Sequence, residues 1–154
     1  MSESAGYHPT LSSAAFYQDP KAALIWLEEA FGFEPSMVIL DGEGNLAHSQ
    51  MRFGDGMIMV GTEWSALHKS PKSINGLNTQ TVHIQLDTGL DEHCERARKA
   101  GAVITQEPET QFYGDRTYRA SDPEGHIWTF AQTVEVMTPA EWDAASGLTT
   151  RTRL

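Results

Sequence analysis

The sequence predicts an α+β protein in which two βαβββ modules form an open, cupped mixed β-sheet around a cavity. Two pairs of glycines support this prediction, because both pairs are separated by 69 residues. Gly32 and Gly101 each end a helical pattern, whereas Gly56 and Gly125 each end a turn that precedes a strand-like run. A repeat close to half the chain indicates an internal duplication. Because one helix covers only one face of a four-stranded sheet, two modules leave two open faces that can close around a cavity.

The first helix has a marked beginning and end in the stretch DPKAALIWLEEAFGF. Asp19 suits the N-cap, Pro20 suits the first helical position, and Gly32 suits the left-handed residue that follows a helix. Apolar residues at helical spacing between them predict one buried stripe. Strand-like runs at residues 11–17, 37–40, 47–53 and 57–62 complete the first βαβββ unit.

The second half repeats this order. A helix is predicted for LDEHCERARKAG, in which Cys94 lies on the apolar face and is therefore expected to be a buried, inert thiol. Strands are predicted at residues 79–87, 103–106, 116–121 and 126–132. The predicted organisation is a first module at 8–63, a linker loop at 64–78, a second module at 79–135, and a tail at 136–154 with a short helix capped by Thr138.

The composition argues against several classes of protein. With 40% hydrophobic residues, the 154-residue chain can form a packed core, but no apolar run approaches the ~20 residues that span a membrane. We find no secretory signal at the N-terminus, and the single cysteine excludes an intrachain disulfide, so we expect a cytoplasmic protein. A net charge of −10 argues against nucleic acid and acidic membranes as partners, and it favours a cationic guest.

The turn Asp122-Pro123-Glu124-Gly125 is expected to have a structural role. Proline at its second position presets φ, and glycine at its fourth position is usual for a type I turn. Asp122 can accept hydrogen bonds from the backbone of the turn itself. Trp128 and Phe130, which alternate with Thr129 on the strand that follows, are expected to belong to the core.

The βαβββ repeat, the opening DPKAALIWLEEAFGFE and the segment YGDRTYRASDPEGHIWTFAQ resemble the vicinal oxygen chelate superfamily. This superfamily comprises glyoxalases, bleomycin-resistance proteins and extradiol dioxygenases, and the resemblance extends to small uncharacterised glyoxalase-like bacterial proteins. It covers roughly residues 8–135 and implies the paired βαβββ fold and a homodimer, often with cavities completed across the interface. It does not imply one activity, since members include isomerases, dioxygenases, thiol transferases and antibiotic-sequestering proteins.

The resemblance also implies where a metal ion would be bound. Catalytic members hold a divalent ion with His, Glu or Gln from the first and last strands of each module. The corresponding positions here are Ser12, Val60, Thr81 and Thr129. None supplies the imidazole, carboxylate or thiolate that divalent ions prefer, so we expect no complete metal site and no cofactor. The leading hypothesis is a small-molecule-binding protein of the bleomycin-resistance type, with an unassigned ligand.

Two other hypotheses stay open. A metal-dependent lyase, isomerase or dioxygenase of the same superfamily could use a displaced ligand set, in which His83 and Glu63 converge with another residue such as His48 or His126. His83 lies two positions from Thr81 and therefore on the same strand face, although it could also be a polar residue that merely lines the cavity. The third hypothesis is a structural or regulatory dimer with a closed core. The sequence does not decide whether the protein is an enzyme.

Five side chains are candidates for contacts with a ligand, which we expect to be cationic or aromatic. They are Phe16, His83, Trp64, Arg116 and Tyr118. Phe16 would form part of the pocket floor, and Trp64 would lie at the loop mouth. If the strand face shared by Arg116 and Tyr118 lines the cavity, it offers a fork of donors and an aromatic wall. Otherwise, Arg116 would pair at the surface with Asp115 or a glutamate.

Overall fold

The computed structural model describes residues 8–154, so residues 1–7, where we looked for a secretory signal, lie outside the described part. The first module contains β1 (Ser13–Tyr17), α1 (Pro20–Phe31), β2 (Glu34–Leu40), β3 (Leu46–Phe53) and β4 (Gly56–Thr62). The second contains β5 (Val82–Leu86), α2 (Leu90–Lys99), β6 (Val103–Thr110), β7 (Asp115–Ser121) and β8 (Ile127–Thr133), and α3 (Pro139–Ser146) follows it. Within the described residues, no helix has the length and apolar character needed to cross a membrane.

The two modules form two four-stranded mixed sheets with the same strand order. The first sheet runs β1-β4-β3-β2, and the second runs β5-β8-β7-β6. The β1–β4 and β5–β8 pairs are parallel, and the other neighbouring strands are antiparallel. These sheets confirm the predicted α+β class with paired βαβββ modules. Within one chain the sheets stay separate and do not close into a single barrel.

The helix boundaries follow from the local signals in the sequence. The side chain of Asp19 accepts a hydrogen bond from the backbone N of Ala22 at 3.1 Å, and Gly32 takes a left-handed φ of 83° at the other end of α1. Thr138 caps α3 through a 3.2 Å hydrogen bond from the backbone N of Glu141. These caps satisfy backbone groups that the helix itself leaves without partners.

One face of each sheet packs with α1 and α2 into a single shared core. Leu27 and Phe31 of α1, Cys94 of α2, and Trp128 and Phe130 of β8 are among its buried members. Because strand side chains alternate, the opposite face of each sheet is directed away from the helices. We call these the open faces. The first carries Ala14, Phe16, His48, Gln50, Met57 and Met59, and the second carries His83, Gln85, Thr117, Arg119, Thr129 and Ala131.

The two modules are joined at the C-terminal ends of their helices. The Arg96 guanidinium of α2 donates to the carbonyl oxygens of Glu28 and Glu29 at 3.0 and 2.9 Å, near the end of α1. In return, Trp26 Nε1 of α1 donates to the carbonyl oxygen of Ala100 at 2.7 Å. Each helix therefore donates to carbonyls at the C-terminal end of the other, although Glu28 O also accepts from the backbone N of Gly32 at 3.1 Å. The positive charge of Arg96 lies at the favourable end of the α1 dipole.

His93 adds a further contact between the helices. Its Nε2 lies 2.8 Å from the Phe31 carbonyl oxygen, and its Nδ1 lies 2.5 Å from the Tyr118 hydroxyl. Because a carbonyl only accepts, Nε2 carries a proton, and in the neutral ring Nδ1 accepts from the Tyr118 hydroxyl. Burial lowers the pKa of His93 below its ordinary value, and the neighbouring charge of Arg96 acts in the same direction.

The turn that begins at Asp122 also connects the modules. Asp122 Oδ1 accepts from the backbone N of Glu124 and of His126, both at 3.0 Å, which confirms the predicted structural role of this residue. Its Oδ2 accepts from the Tyr17 hydroxyl at 2.6 Å and from Trp128 Nε1 at 3.1 Å. Since Tyr17 belongs to β1, this buried carboxylate holds the second module against the first.

The same turn contacts the start of α1. The Glu124 carboxylate accepts from the backbone N of Gln18 at 2.7 Å and of Asp19 at 3.0 Å. It also accepts from Ser70 Oγ of the linker at 2.7 Å. The turn is therefore a junction between both modules and the linker.

Candidate functional site

The two expected metal positions of the second module lie together. Thr81 Oγ1 is 3.0 Å from Thr129 Oγ1, and Thr129 pairs with His83 on the open face. This placement agrees with the correspondence drawn from the resemblance for this module.

The first module departs from that correspondence. Val60 is fully buried and pairs with Ala15, so its side chain lies in the core and does not face the cavity side of the sheet. The open-face residue next along the strand is Met59, which pairs with Ala14 of β1 and Gln50 of β3.

The cause is a difference in the two hairpin loops. The β3–β4 loop has two residues, 54 and 55, whereas the β7–β8 loop has five, 122 to 126. Gly56 is therefore not the structural counterpart of Gly125, and a shift of one residue along a strand exchanges its two faces. Met59, not Val60, occupies the position that corresponds to Thr129.

The residues at these positions do not fit a divalent metal ion. The structure places a serine, a methionine and two threonines there, namely Ser12, Met59, Thr81 and Thr129. Neutral hydroxyls and a thioether are poor ligands for such ions.

The displaced ligand set is not assembled in one place. The Glu63 carboxylate accepts from the backbone N of Ser70 at 2.9 Å in the linker, whereas His126 Nε2 lies 2.7 Å from the carbonyl oxygen of Phe16. His48 Nε2 lies 3.3 Å from the side chain of Gln50 on the open face of the first sheet. Among residues 8–154, no three His, Cys, Asp or Glu side chains are placed to hold one ion.

A large cavity lies between β5 and the β3–β4 hairpin, beside the start of β1. We call it the seam cleft. It has a volume of about 1090 Å³, and its apolar floor contains Phe33, Ile58, Ile84 and Leu86. Its polar lining includes Ser12, Asp55, Gln80, Thr81, His83, Gln85 and Asp87. The described lining contains two aspartates and neither a lysine nor an arginine. The cleft therefore favours a positively charged ligand.

A smaller cavity lies beneath the linker, between β1, β5 and the start of β8. We call it the linker pocket, and it has a volume of about 300 Å³. Four residues line both cavities, namely Ser13, Ala14, Gln80 and Val82. Gln80 Nε2 donates to Ser13 Oγ at 3.0 Å, so a hydrogen bond crosses the boundary between the two spaces.

Three of the five candidate residues line or adjoin these cavities. His83 is exposed and lines the seam cleft, whereas Phe16 is half-buried and lines the linker pocket. Trp64 is 65% exposed and stacks on His68 with a centroid distance of 4.0 Å. His68 in turn meets Phe16 edge-on at 5.0 Å. The structure therefore brings Phe16 and Trp64 together through His68 and leaves His83 in a different cavity.

Arg116 and Tyr118 line neither cavity, because the face they share packs against α2. Arg116 forms a two-bond ion pair with Asp91, with Nε donating to Oδ1 at 2.8 Å and an Nη donating to Oδ2 at 3.2 Å. The surface ion pair considered for Arg116 thus exists, with Asp91 as the partner instead of Asp115 or a glutamate. Tyr118 is fully buried in the core. The open face of β7 instead presents Thr117 and Arg119.

Sequence reasoning missed several residues of the two cavities. Asp87 and Gln85 follow His83 at alternate positions in the chain, so strand alternation could have added them to the lining of the seam cleft. His68 had no comparable signal, because it lies in the irregular linker.

The environment of Cys94 leaves its thiol unreactive. The residue is fully buried on α2, and burial raises the pKa of the thiol to about 11. A thiol that stays protonated near neutral pH is a poor nucleophile.

Comparison with known proteins agrees with this architecture. The profile of the Glyoxalase/Bleomycin resistance protein/Dioxygenase superfamily matches residues 10–130. Uncharacterised proteins of Mycobacterium bovis and Mycobacterium tuberculosis are each 28% identical over 141 residues, which covers 89% of this chain and 91% or 82% of theirs. The solved structure of TioX from Micromonospora sp. ML1 is 27% identical with a TM-score of 0.65, and the match covers 82% of this chain and 99% of that one.

A further solved structure is that of TnmS3, an antibiotic binding protein from Streptomyces sp. CB03234. It is 16% identical with a TM-score of 0.61, and the match covers 82% of this chain and 99% of that one, so the likeness concerns the fold. The extent of the family match, together with the paired βαβββ modules, identifies the protein at the level of its family. The chain belongs to the glyoxalase/bleomycin resistance protein/dioxygenase superfamily.

Proposed function

We propose that this protein is a small-molecule-binding member of the superfamily, that it takes a cationic aromatic ligand in the seam cleft, and that it binds this ligand without a resident metal ion. The observation that carries the proposal is the exposed carboxylate of Asp87 in the cleft, whose described lining includes no lysine or arginine. A cation entering a partly apolar cleft is attracted by this carboxylate more strongly than it would be in open water.

The cleft also has the size and walls that an aromatic ligand needs. Its volume of about 1090 Å³ accommodates a drug-sized molecule. Phe33 and Phe53 meet edge-to-face at 5.3 Å and contribute aromatic surface to the lining. An aromatic ring bound beside them adds a favourable ring contact to the burial of its apolar area.

Relatives in this fold support a binding role. TnmS3, which shares the fold, is described as an antibiotic binding protein. The hydroxyl and thioether side chains at Ser12, Met59, Thr81 and Thr129 favour a binding protein over metal-dependent catalysis. We further propose a cytoplasmic homodimer, because the family resemblance implies a dimer and because the free cysteine, Cys94, suits a reducing compartment.

Titration calorimetry with two tricyclic probes tests this function. The probes are proflavine, which is a cationic dye, and an acridine carboxylate of similar shape. We expect proflavine to bind and the carboxylate to bind far more weakly. Asp87→Asn should weaken proflavine binding about two- to fivefold, as for one exposed ion pair. Glu109→Gln, which removes an exposed carboxylate outside the cleft, is the matched control. Equal binding of both probes, or equal effects of the two substitutions, would overturn the proposal.

A further inference from the structure

We propose that the linker pocket is a second binding site, separate from the seam cleft, and that it takes a small aromatic carboxylate. The proposal does not depend on the function assigned to the seam cleft.

The size of the linker pocket limits its ligand to a small molecule. A volume of about 300 Å³ is at the lower end of the range for ligand sites, so it suits a single ring with a short substituent. The apolar part of the lining includes Phe16, Val82 and Ile127, which come from three different strands. A ring bound there would lie between rigid strands. Its binding would therefore lose little free energy to rearrangement of the protein.

The His68 ring lies at the linker pocket and is held by contacts with its neighbours. His68 lies edge-on to Phe16 with a centroid distance of 5.0 Å and an interplanar angle of 79°. Trp64 covers a face of the His68 ring at 4.0 Å and 25°, and Ser65 Oγ lies 2.6 Å from His68 Nδ1. These contacts fix the position of His68 before any ligand binds. The entropic cost of ordering this side chain on binding is therefore small.

The charges that line the pocket favour an anionic group. The residues able to carry charge are Lys69, His68 and His126, and the described lining contains neither aspartate nor glutamate. The charged lining residues of the linker pocket are basic, whereas those of the seam cleft are acidic, as is the chain as a whole with its net charge of −10. Since His126 Nε2 already donates to the carbonyl oxygen of Phe16, a carboxylate on the ligand would meet Lys69 and His68 as its donors.

The carboxylates of Glu63 and Glu124, which contact the linker, already have hydrogen-bond partners. Glu63 accepts from the backbone N of Ser70 and interacts with the charge of Lys69, and Glu124 accepts from the start of α1 and from Ser70 Oγ. The hydrogen bonds from backbone N and hydroxyl groups do not depend on Lys69. Lys69 is exposed and on a flexible stem, so it can approach a ligand carboxylate without breaking them.

The two sites differ in their charged residues, because Lys69 and His68 line the linker pocket and not the seam cleft. The hydrogen bond from Gln80 to Ser13 crosses the region that both cavities share. The ring and carboxylate of a bound ligand would thus lie on the linker side of this bond, away from Asp87.

Binding of benzoate and phenylacetate, compared with benzylamine and benzyl alcohol, tests the proposal by calorimetry and by tryptophan fluorescence. We expect the two carboxylates to bind and the amine and the alcohol to bind much more weakly. Lys69→Gln should weaken benzoate binding about fivefold, the size expected for one exposed ion pair. Lys72→Gln, which changes an exposed lysine three residues away that does not line the pocket, should have no effect. Phe16→Leu should weaken binding about tenfold through loss of the ring contact.

The outcomes separate this proposal from the function of the seam cleft. Benzoate binding that is unchanged by Asp87→Asn but weakened by Lys69→Gln supports the linker pocket. Because Trp128 lines the pocket and Trp64 only stacks on His68, the change in fluorescence on binding should shrink in Trp64→Phe while calorimetry still detects benzoate. Absence of benzoate and phenylacetate binding, benzylamine binding as tight as benzoate binding, or equal effects of Lys69→Gln and Lys72→Gln would overturn the proposal, whatever proflavine does.

Discussion

Replacing Tyr17 with phenylalanine tests the connection between the two modules. The Tyr17 hydroxyl is buried and donates to Asp122 Oδ2 at 2.6 Å, and the substitution removes this donor while the ring stays in place. A hydrogen bond to a charged acceptor contributes about 1.5–3 kcal/mol to stability. Asp122 would still accept from Trp128 and from two backbone N–H groups, so it would not be left without partners. We therefore expect the free energy of unfolding to fall by about 2 kcal/mol.

Urea titration followed by circular dichroism and by fluorescence measures this loss. For a chain of 154 residues, about 2 kcal/mol corresponds to roughly 4–8 °C in the melting temperature. Tyr113→Phe is the matched control, because it removes the same hydroxyl group from a half-buried tyrosine in the turn before β7. The urea dependence of the unfolding free energy should be the same in all three proteins, since little surface changes.

The pH dependence of stability gives a second readout for Tyr17. Burial raises the pKa of Tyr17 well above its ordinary value, and the charge of Asp122 acts in the same direction. The neutral phenol is therefore favoured in the folded state, and its contribution is present below about pH 10 and lost as the pH rises above that value. The difference in stability between wild type and Tyr17→Phe should shrink in that alkaline range. If Tyr17→Phe and Tyr113→Phe lower the free energy of unfolding equally at neutral pH, the hydrogen bond to Asp122 does not hold the modules together.

Three further predictions concern a histidine, the cysteine and metal binding. Because the pKa of His93 is lowered in the folded state, the unfolded chain binds more protons below about pH 6.5, and stability should fall as the pH falls through that range. His93→Gln should flatten this part of the profile in urea titrations from about pH 8 to pH 5, and an unchanged slope would contradict the assigned neutral ring. Cys94 should react with a disulfide reagent only as fast as the protein opens, and a rate like that of the urea-unfolded chain would show that the thiol is accessible. Untagged protein soaked with Zn²⁺, Ni²⁺, Mn²⁺ or Fe²⁺ should hold less than one ion per chain by elemental mass spectrometry, and stoichiometric retention would show that side chains other than Ser12, Met59, Thr81 and Thr129 hold the ion.

The helices and the repeat were predictable because their signals are local. Asp19, Pro20 and Gly32 act within one or two turns of α1, so sequence alone placed both of its ends. The spacing of Gly32 and Gly101 likewise revealed the duplication, since equivalent helix ends require the same backbone conformation, whereas Gly56 and Gly125 share that spacing without occupying equivalent positions. Gly101, like Gly32, has a positive φ.

The assignment of strand faces was less accurate, because it depends on loop length. Counting from Gly56 placed Val60 on the open face, whereas the two-residue β3–β4 loop puts Met59 there. On β7, the face of Tyr118 could have been inferred from Phe130, which the sequence placed in the core and which pairs with Tyr118. Paired residues of an antiparallel ladder share one face, so Tyr118 had to lie in the core as well.

The contacts between modules could not be predicted from the sequence. The hydrogen bond between Tyr17 and Asp122 joins residues 105 positions apart, and that between Trp26 and Ala100 joins residues 74 positions apart. Such pairs leave no periodic pattern in a single sequence. The linker pocket depends in the same way on how His68 of the linker folds back over β1.

The exchange of hydrogen bonds between helix ends has a consequence for the ancestry of the fold. Arg96 and His93 satisfy the end of α1, and Trp26 satisfies the end of α2, so neither helix is complete within its own module. A half-length ancestor with the same helix would have exposed these carbonyls and the apolar face around them. It would have gained partners by pairing with a second copy of itself, and duplication followed by fusion would have made that pairing independent of concentration. The reciprocal hydrogen bonds between α1 and α2 are an arrangement that such a fused pair would retain.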